Sequence, residues 1–295
     1  DTQRINREKM MKTSKSIGGS FERGASFTNG SDVPLYVDLD GTLIRTDMLW
    51  ETLLVAIRVA PWILVLIPFW LLRGRAYLKH RLAILAHIEP ESLPYNLVLL
   101  KYLRCQQKAG RPIYLATASN IGIAQAVARH LQLFGAVIAS DENANKSGSA
   151  KLDAIREHAR CASFAYAGNS WDDWPLFKAA DHVILVNTSS RLKKEVLAKC
   201  RVAGSFMDRQ ERFRALVETM RPHQWAKNIL LFIPMLTSHY WADFSRVLAL
   251  GKAFLSFSLM ASCVYFINDM LDTQSDRSHP TKCKRAFASG RLSYS

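Results

Sequence analysis

The sequence predicts an α/β fold, a doubly wound parallel sheet with a helical cap, followed by all-α transmembrane helices. Three observations predict it. Short β-type runs alternate with helix-prone segments between about residues 33 and 200, as in parallel sheets built with crossover helices. Acidic, amide and hydroxyl side chains collect just after those runs, where ligands sit in such sheets. A later apolar stretch, Leu248 to Ile267, is long enough to cross a bilayer, which takes about 20 residues.

Composition agrees with a mixed protein. The 295 residues have room for about two domains. A hydrophobic share of 49% is high for a simple soluble enzyme, and a charged share of 22% is too high for a purely membrane protein. Lys and Arg number 39 against 25 Asp and Glu, a net charge of +14 that suits anionic lipid or phosphorylated substrates. The basic residues lack the aromatic interleaving of a nucleic-acid groove, so no nucleic-acid partner is expected. Cys105, Cys161, Cys200, Cys263 and Cys283 show no ligand spacing and are expected as reduced thiols facing the cytosol. A start at Asp1 and an end at Ser295 within a polar stretch suggest a fragment.

Taken in order, residues 1–32 are basic and polar with no apolar segment, which predicts a disordered tail and excludes a cleaved signal. Pro34 to Val37 predicts a strand running into Asp38-Leu39-Asp40-Gly41-Thr42. Acids two residues apart after a strand point the same way, and glycine follows where the chain must turn. Residues 48–72 are strongly apolar, interrupted by Arg58, Pro61 and Pro68. Either a single membrane span or a helical hairpin fits, the hairpin covering a site or lying in the membrane surface; the hairpin is favoured. Arg73, Arg75, Lys79 and Arg81 follow it, ready for lipid headgroups. Further strands are predicted at 111–119, 136–139, 163–167 and 183–186, with helices at 94–107, 121–134 and 152–159. Their carboxyl ends carry Asp38, Asp40, Thr117, Asn169 and Asp173.

Arg191 to about Arg214 is charged and helix-prone, a linker, so the domains are drawn at 33–205 and 206–295. Two spans are then expected, one over Ile229–Leu236 with its flanks and one over Val247–Ile267. Basic residues outside both and few between put the two ends on the cytosolic side of the inner membrane, in a multi-pass protein.

The acid pair Asp38 and Asp40 can divide a phosphate-ester hydrolysis. Asp38 attacks phosphorus; Asp40 protonates the leaving oxygen and then activates water. A Mg²⁺ held by Asp38, a backbone carbonyl and an acid from the fourth strand neutralises the phosphate, Thr117 hydrogen-bonds it, and a lysine balances charge. D-L-D-G-T at 38–42, Thr117, Lys151 (or Lys146) and G-N-S-W-D-D at 168–173 resemble the haloacid dehalogenase superfamily of phosphatases. The resemblance implies an aspartyl-phosphate mechanism with Mg²⁺ at Asp38, Asp40, Asn169 and Asp173. Asn169 stands where that family has an acid, so Asp172 and Asp173 must supply the charge.

Asn268, Asp272 and Asp276 recur every four residues, placing three oxygen-bearing side chains on one face at the end of an apolar helix. The run N-D-M-L-D-T-Q-S-D at 268–276 resembles the first aspartate-rich motif of the UbiA superfamily of membrane prenyltransferases. R-P-H-Q-W-A-K-N at 221–228 and D-R-S-H-P-T-K-C-K-R-A-F-A-S-G at 276–290 are similar to its decaprenyl-phosphate phosphoribosyltransferase branch. The resemblance implies phosphoribosyl pyrophosphate and a polyprenyl phosphate as substrates. Asn268, Asp272 and Asp276 would surround Mg²⁺ and pyrophosphate, with Lys227, Asn228 and Arg285 as phosphate partners and Asp269 and Lys282 as lesser candidates. Further spans and a second acidic motif of that superfamily do not occur by Ser295. The expected function is such a transferase with a fused phosphatase that dephosphorylates its product. The alternative is an aromatic prenyltransferase using prenyl diphosphate, with a non-catalytic regulatory domain.

Overall fold

The computed structural model describes residues 19–23, 33–160, 163–208, 212–238 and 243–294. The chain divides into two compact units, residues 1–210 with 293–295, and residues 211–292. In the first unit one sheet holds β1 (Gly19–Arg23), β2 (Leu35–Val37), β3 (Ile113–Asn120), β4 (Val137–Ser140), β5 (Ala165–Gly168), β6 (His182–Val186) and β7 (Val202–Asp208). The order across it is β1-β7-β6-β5-β2-β3-β4. All pairings are parallel except β1 with β7. The chain runs outward from β2 to β4, then returns to β5 on the other side of β2. That reversal leaves a crevice at the carboxyl end of β2.

Both faces of the sheet are covered. Leu35 and Val37 belong to one buried cluster with Leu115, Ala165 and Ile184, whereas Tyr36 belongs to another with Tyr166, Val183 and Leu185. Alternation into two cores explains why these strands read as unbroken apolar runs. The covering helices are α4 (Leu97–Lys108), α5 (Ile121–Leu131), α6 (Ser149–His158), α7 (Trp174–Ala179) and α8 (Ser190–Lys199). Before them come α1 (Met48–Val59), α2 (Ile63–Leu72) and α3 (Arg75–Leu85), inserted between β2 and β3. These three share a small core of their own, with Ala56, Ile63, Trp70, Leu78 and Leu82 buried. The hairpin is therefore the form that residues 48–72 take. The turn at Pro61 breaks the apolar run into helices of 12 and 10 residues, each too short to span a bilayer.

Two strands depart from the expected plan. β7 lies within the stretch expected as a linker: α8 takes up its charged part, and Val202, Ser205 and Phe206 are then buried. β1 arises within the expected tail and pairs with β7 from Gly19 opposite Asp208 to Arg23 opposite Gly204. An edge strand needs no apolar run, because the open backbone groups of its neighbour hold it. The rest of the expected tail lies outside the described residues. Among the described cysteines, Cys105, Cys200, Cys263 and Cys283 are free; Cys161 lies outside them.

The second unit contains α9 (Arg212–Met220), a 3₁₀ winding over Pro222–Phe232, α10 (Ile233–Thr237), α11 (Phe244–Leu271) and α12 (Thr273–Ser278). Among the described residues α11 alone is long and apolar enough to cross a membrane, with 28 residues and a mean hydropathy of 1.8 over its most apolar window. The expected first span does not form as one helix. Its motif winds tightly against α11 instead: Trp225 Nε1 donates to Ser262 Oγ at 3.0 Å and Asn228 Nδ2 to Ser258 Oγ at 3.0 Å.

Candidate active site

The crevice at the end of β2 is a cavity of about 530 Å³ lined by Asp38, Asp40, Lys151, Asn169 and Asp173, with Lys79 and Arg75 arriving from α3. Asp38 follows β2 directly, and its backbone N–H donates to Ala167 O at 2.9 Å, which locks it beside β5. Residues 39–43 then form a wide turn in which Gly41 has φ +69°. A Cβ at Gly41 would lie 2.1 Å from Asn169 Nδ2, so both the left-handed backbone and the close approach of the β5 loop require glycine.

Lys151, from the first turn of α6, is buried and donates to Asp38 Oδ1 at 3.0 Å and Asp173 Oδ1 at 3.1 Å. Of the two lysines flanking Gly148, it is the one whose ammonium lies on the carboxylates. Burial alone would lower its pKa, but Asp38 and Asp173 outweigh burial and hold it above the usual lysine range. Tyr166, fully buried on β5, accepts from Lys151 at 3.1 Å and donates to Asp173 Oδ1 at 2.7 Å. Asp40 Oδ1 accepts from Met48 N at 2.8 Å, and its Oδ2 accepts a short hydrogen bond from the Ser119 hydroxyl. Burial raises Asp38 to about 7, with Asp173 and Asp40 adding and Lys151 opposing. Burial likewise raises Asp40 to about 6, helped by Asp47 and opposed by the Ser119 and Met48 hydrogen bonds.

The structure thus gathers Asp38, Asp40, Lys151, Asn169 and Asp173, but two residues sit differently from expectation. Thr117 is fully buried and accepts from Ser119 N at 3.0 Å; the β3 hydroxyl that reaches Asp40 is that of Ser119. Asp173 is held by hydrogen bonds on both of its oxygens. Its Oδ1 takes the Lys151 and Tyr166 donors, and its Oδ2 accepts from Asn169 N, Ser170 N and Ser170 Oγ at 3.2–3.3 Å. Tyr166, Ser119 and Lys79 were not singled out from sequence as site residues. Lys79 Nζ donates to Ala118 O at 2.7 Å and Asn145 Oδ1 at 3.2 Å, and burial lowers its pKa.

No three His, Cys, Asp or Glu side chains among the described residues converge as a ready metal cage. The donors present are oxygens, which suits a hard cation such as Mg²⁺ held by one or two side chains, water and phosphate. Asp38 and the Asn169 amide oxygen, which accepts from Thr42 Oγ1 at 3.3 Å, fit that role.

In the second unit, Asp272 N donates to Asn268 O and Asp276 N to Asp272 O, at 2.9 and 2.8 Å. The helical path therefore runs on past Leu271 and keeps the three residues near one face. Asn268 is exposed and Asp276 buried. Asp269 is buried and held by two arginines: it accepts from Arg221 Nη2 at 2.7 Å and Arg285 Nη1 at 3.1 Å. Arg285, expected as a phosphate partner, also bonds Asp276 Oδ2 at 2.8 Å. Lys227 is exposed, and Asn228 is engaged by Ser258.

No family model matches the chain. It is 36% identical over 263 residues to the uncharacterized protein y4nM of Sinorhizobium fredii, a match covering 88% of this chain and 51% of that protein. Nodulation protein NoeC of Azorhizobium caulinodans is 43% identical over 81 residues, or 28% of this chain and 26% of NoeC. Decaprenyl-phosphate phosphoribosyltransferase of Mycobacterium tuberculosis is 42% identical over 79 residues, 25% of this chain and 26% of that enzyme. The chain spans about half the length of the first relative and about a quarter of the other two. Similar solved structures include a protein of unknown function from Bordetella pertussis Tohama I, at TM-score 0.46 and 18% identity, covering 57% of this chain and 96% of that one. Another is phosphoserine phosphatase in apo form, at TM-score 0.42 and 13% identity, covering 58% and 92%.

Proposed function

We propose that the first unit is a Mg²⁺-dependent phosphatase of the haloacid dehalogenase type that works through an aspartyl-phosphate. The single observation that carries this is the pair Asp38 and Asp40 in one crevice, Asp38 held by Lys151 and Asp40 by Met48 N–H and Ser119. An Asp38 oxygen attacks phosphorus, and the bond from phosphorus to the leaving oxygen breaks as Asp40 donates it a proton. Asp40, now ionised, takes a proton from water, whose oxygen attacks the phosphoryl group and frees Asp38. Lys151 balances the charge that gathers on the phosphoryl oxygens, and Tyr166 and Asp173 hold Lys151 in place. Mg²⁺, when bound at Asp38 and Asn169, supplies further neutralisation.

The second unit is the beginning of a UbiA-type transferase that passes phosphoribose from phosphoribosyl pyrophosphate to a polyprenyl phosphate. The match to decaprenyl-phosphate phosphoribosyltransferase supports this. The phosphatase would then remove phosphate from the lipid-linked product on the cytosolic side of a bacterial inner membrane. The test is phosphate release by the detergent-solubilised chain from a polyprenyl-phosphoryl phosphopentose, with Mg²⁺. Asp38→Asn should reduce it at least about a thousandfold, with circular dichroism unchanged. Equal release by the variant would overturn the assignment.

A further inference from the structure

One surface of the cap is at odds with water. Trp62, Val65, Phe69 and Leu72 are 62%, 70%, 62% and 85% exposed, and Leu64 and Leu71 stand beside them. They form the outer side of α2, whose inner side is anchored by Ile63 and Trp70 in the cap core. The charges along this stretch of chain have one sign. Between Glu51 and Glu89 there is no acidic residue, while Arg58, Arg73, Arg75, Lys79 and Arg81 all fall in that stretch. Arg58, Arg73, Arg75 and Arg81 are exposed.

We propose that the outer face of α2 dips into the interfacial layer of an anionic phospholipid bilayer, as an anchor separate from α11. Apolar and aromatic side chains on a short helix, in a stretch of chain whose charged residues are all basic, match a surface of acyl chains topped by anionic headgroups. A protein partner would not require such one-sided charge. The helix is ten residues long, so it lies along the surface and does not cross. The catalytic cavity shares Leu71 and Arg75 with this region, which brings its mouth to headgroup depth. On the phosphatase reading, the substrate is then a phosphate ester carried on a membrane lipid. The docking itself stands whether or not the cavity hydrolyses phosphate.

The test uses the full chain with its five cysteines replaced by serine, reconstituted in phosphatidylcholine vesicles with and without phosphatidylglycerol. A single cysteine carries an environment-sensitive fluorophore, placed by Phe69→Cys or, as a control at the exposed end of α4, by Lys108→Cys. The label at 69 should shift to the blue and be quenched severalfold more by spin-labelled lipid than the label at 108. That difference should need the anionic lipid, and Arg73→Gln with Arg81→Gln should weaken it about fivefold or more. A label at 69 quenched by aqueous iodide as strongly as that at 108 would overturn the proposal. So would a blue shift without lipid quenching, which would mean that protein covers the face.

Discussion

At the scale of single residues, the site balances buried acid against buried base. Asp38 and Asp40 are raised to about 7 and about 6 by burial, so the folded state holds protons that the unfolded chain releases near the ordinary carboxylate range, about 4. Their stabilising effect is full below that range and is lost as pH rises through the folded values. In EDTA, the wild-type melting temperature should therefore fall between pH 5 and 8 more steeply than that of Asp38→Asn. Mg²⁺ should raise it more at pH 8 than at pH 5. Parallel melting curves for the two proteins would rule this out. Gly41→Ala meets a left-handed backbone and Asn169 at 2.1 Å; it should cost about 1–3 kcal/mol in chemical denaturation and lower Mg²⁺ affinity by moving the amide. Asp38, Asp40, Gly41 and Asn169 were legible because they sit next to strands in short spacing. Tyr166 was not, since a tyrosine within an apolar strand reads as core until its hydroxyl is seen on Lys151 and Asp173.

At the scale of elements, α1 links the cap to Asp40, the proposed general acid. Asp47 caps this helix, accepting from Leu49 N at 2.8 Å, and the next residue, Met48, donates its N–H to Asp40. Asp47→Ala should cost about 1 kcal/mol of stability and lower kcat, because Met48 N–H loses its fixed position. Asp47→Asn keeps a good cap but removes the charge that helps raise Asp40. It should leave the melting temperature nearly unchanged and move the limb of the pH–rate profile that belongs to Asp40 toward lower pH; an unmoved limb would show that the Asp47 charge does not reach the acid. The parallel strands and their helices were legible because each buries a contiguous run. β1 and β7 were not. Gly19–Arg23 has no pattern apart from its partner, and Val202–Asp208 follows a charged helix closely enough to read as its continuation.

At the scale of the whole molecule, a net charge of +14 and the large exposed apolar surfaces of α2 and α11 would both be accommodated at a membrane. On α11, Phe244, Phe257, Met260 and Ile267 are exposed, while Ser258, Ser262 and Asp269 are buried against the rest of the second unit. Three of its polar residues thus turn inward while these apolar residues face outward, an arrangement that would suit a span in lipid, although Lys252, Ser256 and Asn268 are exposed as well. The second unit was legible as to α11 but not as to residues 222–237, where hydrogen bonds from Trp225 and Asn228 to the two serines hold a tight winding that hydropathy does not register. Met260, 68% exposed near the middle of α11, gives the sharpest test. If α11 crosses the bilayer, Met260→Lys places a charge near the centre of the span, at a cost of about 2.5–3.5 kcal/mol on the insertion scale. The wild type should resist alkaline carbonate extraction from membranes and the variant should be extracted. The variant should still sediment with anionic vesicles at low salt through its basic, apolar cap, and high salt should release it, because charge attraction at the surface is screened. Resistance of Met260→Lys to carbonate would mean that α11 does not cross the membrane at that depth.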